Sequence, residues 1–130
     1  MEIYLFYGGM ILVKIIKHSP VVVSLKIVFD TKEYVKKIAK SDTYFHTFLN
    51  KEKIAAGILR LGPGEEDTQE PHESDEVYYV VKGDGFLSID GKDYDVSEGM
   101  SYYVAKKIPH KFHGNKKELV VMYFFGGPDI

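Results

Sequence analysis

Short apolar segments separated by glycine-containing or polar turns run along most of this chain. Three segments near the N-terminus, 3–7, 11–16 and 20–29, are rich in the β-branched and aromatic residues that favour strands. Further strands are predicted at 43–49, 54–61, 77–81, 86–89, 92–96, 102–105, 108–113 and 119–125. Short strands at this regular spacing predict an all-β sandwich or barrel.

One short helix interrupts this pattern. Asp30 is a suitable N-cap, and Glu33 follows it at the spacing of a capping box. Apolar residues then recur at positions 34, 35, 38 and 39, which lie on one face of a helix. The helix is expected to end near Lys40 and Ser41.

The segment 77–81 is apolar on both faces of its predicted strand. Strict alternation would leave one face in water, so both faces of this strand are expected to be covered. The barrel interior covers one face, and the N-terminal strands or a second subunit would cover the other. Together with the charge-free stretch 3–13, this predicts a homodimer in which strands are exchanged.

Composition narrows the class of protein. The chain has 130 residues, 45% of them hydrophobic and 28% charged, which predicts one globular domain over 1–130. Within it, 1–42 would hold the N-terminal strands and helix, and 43–126 the barrel. A net charge of -2 gives no electrostatic footprint for nucleic acid, and the absence of cysteine excludes thiolate chemistry. Lys14 and Lys17 interrupt the first apolar stretch well before the ~20 residues of a membrane span, so a cytoplasmic protein is expected.

The candidate chemistry lies in the centre of the chain. In an extended strand, Glu70, His72 and Glu76 would share one face, and His110 lies in a later predicted strand. If the strands carrying His72 and His110 are neighbours, two imidazoles and a carboxylate converge. Nitrogen and oxygen donors suit a divalent transition metal such as Fe, Mn, Ni or Zn. Such an ion would also relieve the repulsion between Glu70 and Glu76.

Simpler interpretations exist for each residue. His72 and Glu76 are also compatible with an acidic surface loop, and His110 with a buried histidine bonded to backbone. His46 fits a barrel residue or a group that supports a metal ligand, and His113, with the opposite parity from His110, is expected to face outward. Lys106 and Lys107 would either attract an anionic ligand to the open end of the barrel or be an ordinary pair of solvated lysines.

The paired spacing resembles that of the cupin superfamily. The first cupin motif, G-x5-H-x-H-x3-E-x6-G, is matched at Gly64, His72, Glu76 and Gly83. The second, G-x5-P-x-G-x2-H-x3-N, is matched at positions 99 and 110. This resemblance implies a double-stranded β-helix, also called a jelly-roll barrel, with extra N-terminal strands and the short helix. It also implies that His72, Glu76 and His110 take three of the four usual metal-ligand positions.

The chain departs from the cupin pattern at four places. Glu70 stands at the first histidine, and positions 105, 107 and 114 hold Ala, Lys and Gly in place of Pro, Gly and Asn. From Asp67 onward the chain is also similar to a subgroup of small cupins with a D-x-Q-x-P-H segment. In that subgroup Gln69 competes with Glu70 for the fourth position, especially if Pro71 imposes a bulge.

The resemblance implies several functions. The first hypothesis is a metal-dependent enzyme, of the dioxygenase or isomerase type, acting on a small organic molecule in the barrel. Glu70 would then be the fourth ligand or a general base. The alternative is a small-molecule binding or sensing module without chemistry of its own, and a third is a structural dimer stapled by the metal.

Overall fold

The computed structural model describes residues 3–7, 11–16, 19–24 and 26–130, with side chains described from residue 26 onward. Two compact units make up the chain, residues 1–30 and residues 31–130. The helix belongs to the second unit. That the whole chain forms one domain stays a prediction.

The first unit is a three-stranded antiparallel sheet. It consists of β1 (Ile3–Tyr7), β2 (Ile11–Ile16) and β3 (Ser19–Ser24), in the order β1-β2-β3. The predicted third strand, 20–29, is too long, because residues 26–30 adopt no regular structure before the helix begins. The side-chain packing of the stretch 3–13, on which the dimer prediction partly depends, lies outside the described residues.

The predicted helix is confirmed as α1 (Thr31–Ala39), which begins directly after Asp30. Its buried residues are Tyr34 and Ile38, and the Tyr34 ring stacks on Phe48 of the following strand with centroids 5.2 Å apart. In the described part of the chain, no helix is both long enough and apolar enough to cross a membrane. The cytoplasmic location stays a prediction.

The second unit contains two antiparallel sheets. One has the order β4-β5-β11-β6-β9 and the other the order β10-β7-β8. The strands are β4 (Phe45–Asn50), β5 (Ala55–Leu61), β6 (Glu76–Lys82), β7 (Phe86–Ile89), β8 (Lys92–Asp95), β9 (Ser101–Val104), β10 (His110–His113) and β11 (Leu119–Phe125). Because β11 lies between β5 and β6, strands distant in sequence are neighbours. This is the predicted double-stranded β-helix, and the all-β prediction is confirmed.

The core lies between the two sheets. Tyr78 of β6 meets Phe112 of β10 edge-on, with ring centroids 4.9 Å apart. Along β6, residues 76, 78 and 80 are buried, whereas Val77, Tyr79 and Val81 are 42%, 42% and 44% exposed. In the single chain the outer face of this strand is therefore exposed, and its coverage by a second subunit stays a prediction. Successive side chains of a strand point to opposite faces, so one face of this strand is buried and the other exposed, although the segment 77–81 is apolar on both.

A glycine allows one aromatic ring to lie across the large sheet. Gly57 of β5 is paired with Tyr123 of β11, and a Cβ at Gly57 would overlap the Tyr123 ring. The phenol of Tyr123 is hydrogen-bonded to Thr47 Oγ1 of β4 at 2.7 Å. This arrangement places Tyr123 on the wall of the cavity described below.

Candidate metal centre

Two imidazoles and one carboxylate converge inside the barrel. His72 lies in the loop before β6, Glu76 is the first residue of β6, and His110 is the first residue of β10. Each offers one ligand atom, and these atoms all lie within 4.8 Å of one another. The side chains of His110 and Glu76 are 1% and 2% exposed, whereas that of His72 is 21% exposed. The cluster is therefore buried on one side and accessible on the side of His72.

The two histidines do not come from neighbouring strands. β6 pairs with β9 and β11, while β10 pairs with β7 in the opposite sheet. Instead, the preceding loops are joined, because Lys107 N–H donates to the His72 carbonyl at 2.7 Å and Lys106 N–H donates to Asp75 Oδ1 at 2.9 Å. These contacts bring the His72 and His110 rings to a centroid distance of 5.3 Å.

Gln69 lies against both imidazoles. Its Oε1 is 3.1 Å from His72 Nε2 and 3.1 Å from His110 Nε2, and it accepts a hydrogen bond from the Tyr78 hydroxyl at 2.9 Å. Residues 67–75 form no strand, so the parity expected to align Glu70 with His72 does not hold. Glu70 is exposed and lines the adjoining cavity. Of the two candidates for the fourth position, the structure places Gln69 beside the histidines.

Asp67 fixes the orientation of the Gln69 amide. Its side chain is buried, and its Oδ2 accepts hydrogen bonds from Gln69 Nε2 at 2.6 Å and from Phe112 N–H at 2.8 Å. Its Oδ1 accepts from the Tyr44 hydroxyl at 3.0 Å and from Gln69 N–H at 3.1 Å. With its NH2 group directed at Asp67, Gln69 presents its oxygen to the imidazoles.

Sequence reasoning missed the roles of Asp67 and Tyr78, although signals for both were present. Asp67 begins the D-x-Q segment, two positions before Gln69, a spacing at which an Asp side chain readily bonds a nearby backbone N–H. Tyr78 has the same strand parity as Glu76, and the two are buried on the same face of β6. Burial, and then its charged neighbours Glu76 and Asp67, raise the pKa of Tyr78 well above its usual value, so its hydroxyl stays protonated and donates.

The unpaired atoms of the cluster fit a cation. His110 Nδ1 is 2.8 Å from the Ile108 carbonyl, to which it donates, and this directs the Nε2 lone pair of a neutral ring towards Glu76 and Gln69. Glu76 Oε1 is 3.2 Å from His110 Nε2 but is buried and has no hydrogen-bond partner among the described residues. Oxygen and nitrogen lone pairs thus face one another, a set that suits a divalent first-row transition metal.

In the metal-free protein, a proton on His110 would remove the repulsion between the lone pairs of His110 and Glu76. Burial lowers the pKa of His110, but the adjacent Glu76 carboxylate and the Ile108 carbonyl raise it, and the net shift is upward. His110 therefore stays cationic to a higher pH than a free imidazole does. At a pH where the ring is protonated, metal binding has to displace that proton.

The remaining histidines of the described chain lie elsewhere. His46 is exposed on β4, and its ring contacts Tyr34 of α1 with centroids 4.9 Å apart. His113 Nε2 is 2.8 Å from Asp93 Oδ1 on the surface, in agreement with its predicted outward parity.

A cavity of about 380 Å³ adjoins the cluster. Gln69, His72 and Glu76 form part of its wall. Much of the rest is aromatic, from Tyr44, Phe45, Tyr78, Tyr123 and Phe125. The lysines at positions 106 and 107 are exposed and do not line this cavity, in agreement with the alternative that they are solvated. The volume suits a small organic molecule.

The fold and the cluster together define a class: small antiparallel barrels with a candidate metal centre built from two histidines and a glutamate. The family model described as "Cupin domain" matches residues 57–126, more than half of the chain. The chain belongs to this family.

Similar proteins agree with the family assignment. An uncharacterised protein of Streptomyces coelicolor is 33% identical over 91 residues, covering 70% of this chain and 87% of its own length. An RmlC-like cupin from Methanocaldococcus jannaschii with a double-stranded β-helix fold superposes with a TM-score of 0.60 at 17% identity, covering 67% of this chain and 84% of that chain. The DMSP lyase DddQ from Ruegeria pomeroyi superposes with a TM-score of 0.59 at 13% identity, covering 64% of this chain and 46% of that chain. The two structural likenesses show a shared fold.

Proposed function

We propose that this chain is a metal-dependent enzyme that acts on a small organic molecule in the barrel cavity. One divalent ion would be held by His72, Glu76 and His110. The amide oxygen of Gln69 would be the fourth donor. The observation that carries this proposal is the buried Glu76 Oε1, which faces an imidazole nitrogen and has no hydrogen-bond partner among the described residues.

The metal, when bound, would supply Lewis-acid or redox chemistry of the kind found in dioxygenases and isomerases. The chain's own residues provide the surroundings. The Ile108 carbonyl holds His110 in the tautomer that ligates, and the Tyr78 hydroxyl holds Gln69 Oε1 in place. Glu70 lies on the cavity wall, where it would serve as a general base towards a bound molecule.

The accessible side of the cluster favours a reactive site over a purely structural one. A structural metal site is closed, whereas His72 is partly exposed and borders a cavity large enough for a ligand. A lyase is among the proteins that share the fold, which supports chemistry on a small molecule in such a barrel. The second candidate, a non-catalytic binding or sensing module, would use the same cavity and differ in having no turnover.

Elemental analysis by ICP mass spectrometry tests the metal. We expect near-stoichiometric Fe, Mn, Ni or Zn in the wild type and almost none in His110→Ala. His113→Ala is the matched control, because it removes an imidazole from the same strand at a surface position and should keep the metal. A wild type that remains empty after reconstitution would contradict the metal-dependent function and favour the binding module.

Two adjacent substitutions test the fourth donor. Gln69→Ala should weaken metal affinity about tenfold or more, measured by competition with a chromophoric chelator. Glu70→Ala should leave that affinity nearly unchanged, since its side chain is exposed and outside the cluster. If Glu70→Ala weakens metal affinity and Gln69→Ala does not, the fourth ligand is Glu70.

We also propose that the protein is a homodimer. The outward residues of β6 are apolar and exposed, and β9 beside it is an edge strand that carries Tyr103 at 63% exposure. An apolar edge of this kind is protected when a second copy covers it. Light scattering should give a dimer for the wild type and a smaller mass for Tyr79→Lys. A monomeric wild type at micromolar concentration would contradict the proposal.

A further inference from the structure

The wall of the cavity beside the metal cluster is acidic. Glu70, Glu76 and Asp129 line it, and none of the described lining residues is a lysine or an arginine. Two basic side chains outside this wall are paired with carboxylates: Arg60 with Glu118 at 2.7 Å, and Lys107 with Glu73 at 4.0 Å. Among the described lining residues, an anionic ligand would therefore meet no lysine or arginine as a countercharge.

Asp129 is held on this wall by strand β4. Thr47 Oγ1 donates to Asp129 Oδ2, and Asn50 Nδ2 donates to the Asp129 carbonyl at 3.0 Å. The Asp129 N–H in turn donates to Asn50 Oδ1 at 2.9 Å. Three hydrogen bonds fix this residue, so its negative charge is a built feature of the cavity.

Aromatic side chains form part of the same wall. Tyr44 and Phe45 meet edge-on, with centroids 5.3 Å apart and an interplanar angle of 68°. Phe45 is 46% exposed and lines the cavity. A cation over an aromatic face is attracted by the ring quadrupole, whereas an anion is repelled.

A bound metal does not reverse this preference. Three carboxylates line the cavity, and together they exceed the charge of a dication. One of them, Glu76, is 2% exposed and lies 3.2 Å from His110 Nε2, so a bound metal or a proton on His110 would balance its charge. The outer two, Glu70 and Asp129, remain for the ligand.

We propose that the ligand of this cavity is a compact organic cation, an ammonium or related onium compound. Its charged group would contact the aromatic wall near Glu70 and Asp129, and its polar end would face the metal cluster. The proposal rests on the proposed function in that the cavity is taken as the substrate site, but it does not require the metal.

Three probes of nearly the same shape test the charge preference. Choline is the cation, 3,3-dimethylbutan-1-ol its neutral carbon analogue, and 3,3-dimethylbutanoate an anion. Titration calorimetry on the full chain, metal-free and metal-reconstituted, should show choline binding about tenfold tighter than the alcohol, with the carboxylate weakest in the metal-free protein. Equal affinities, tighter binding of the carboxylate in both forms, or no choline binding up to roughly 10 mM would overturn the proposal.

Matched variants locate the binding. Glu70→Gln should reduce the choline preference several-fold, whereas Glu73→Gln, an exposed acid of the same loop that does not line the cavity, should leave it unchanged. Phe45→Leu should weaken choline about threefold and leave the alcohol unchanged. Choline preference in a protein that takes up no metal would support this inference while the metal-dependent function fails. Metal uptake without any preference for choline would support the metal-dependent function and contradict this inference.

Discussion

Glu76 and Glu118 lie at opposite ends of the antiparallel pair β6–β11. Glu118, just before β11, is one-third exposed and uses both oxygens: Arg60 Nε donates to Oε2 and Lys82 Nζ to Oε1, each at 2.7 Å. Glu76, at the other end, is 2% exposed, and its Oε1 has no hydrogen-bond partner in the part of the chain that the structure describes. Burial of a charge is costly unless it is paired. The chain neutralises Glu118 itself, whereas Glu76 depends on a proton held by His110 or on a cation from outside.

The largest effect should come from removing that outside cation. For metal at about 100 times its Kd, chelation should lower the free energy of unfolding by about 2.7 kcal/mol. Glu76→Gln should abolish the difference between urea unfolding curves with and without EDTA, because the buried charge that attracts the metal is gone.

Glu118→Gln is the control for this prediction. It removes a carboxylate from the opposite end of the same strand pair and should keep the full chelator effect. If Glu76→Gln still shows the chelator effect, Glu76 is not a ligand and the contrast between the two glutamates fails.

Asp67→Asn should have the next largest effect. Asp67 accepts four hydrogen bonds, two of them from Gln69, and an asparagine cannot accept at both of its side-chain atoms. We expect the affinity for metal to fall about 10- to 100-fold, measured by chelator competition. Glu66→Gln, an exposed change on the same loop, should have no effect.

A double-mutant cycle separates positioning from general damage to the fold. If Asp67 acts on the metal through Gln69, then Asp67→Asn should cost little further metal affinity in a Gln69→Ala background. Additive losses would show instead that Asp67 affects the centre by another route.

A smaller effect on the free energy of unfolding is expected from Glu118, at the exposed end of the strand pair. The hydrogen bond from Lys82 lowers the pKa of Glu118, burial opposes this, and Arg60 adds to the lowering, so the net shift is downward. A carboxyl group with a lowered folded-state pKa stabilises the protein above its ordinary value near 4.5, and this stabilisation is lost as the pH falls through the folded-state value. Glu118→Gln should therefore cost about 1 kcal/mol at neutral pH and low salt, since the ion pairs are partly exposed.

The measurement is the free energy of unfolding between pH 3 and 7 at two salt concentrations. The variant should lose only the contribution of Glu118 to the acid dependence, and its difference from wild type should shrink in high salt. A difference that persists unchanged below the pKa of Glu118 would indicate a packing effect rather than a charge effect.

The fold could be predicted from the sequence because its strands and helix follow from local patterns of apolar and polar residues. The regular spacing of the strands and the helix after Asp30 each depend on residues within a few positions, and the structure confirms them. The spacing of the cupin motifs likewise led to the three residues that the structure brings together, His72, Glu76 and His110.

The rest of the site depends on contacts between distant residues. The loop that holds Gln69 is shaped by Asp67, which bonds Phe112 N–H 45 positions further along the chain. The periodicity of apolar and polar residues does not predict a contact between residues so far apart. For that reason the extended-strand argument favoured Glu70, whereas the folded loop directs Gln69 to the imidazoles and leaves Glu70 on the cavity wall.

The smallest predicted effect concerns a backbone position that joins the two loops of the centre. Lys107 has a φ of 65°, the left-handed region, at the place where the cupin motif has glycine. That conformation costs a residue with a Cβ about 1 kcal/mol. Glycine would remove this strain but would also gain entropy in the unfolded chain. Lys107→Gly should therefore raise the free energy of unfolding by about 0.5 kcal/mol, measured by urea denaturation.

The metal affinity of Lys107→Gly should change less than about twofold, because the backbone N–H that donates to the His72 carbonyl is retained. Asp90→Gly, at a φ of 50° in the β7–β8 hairpin, is the comparison variant. Aspartate tolerates the left-handed region better than lysine, so Asp90→Gly should gain less stability. If Lys107→Gly instead lowers both stability and metal affinity, the lysine side chain itself supports the junction between the loops, and relief of backbone strain is the wrong account of this position.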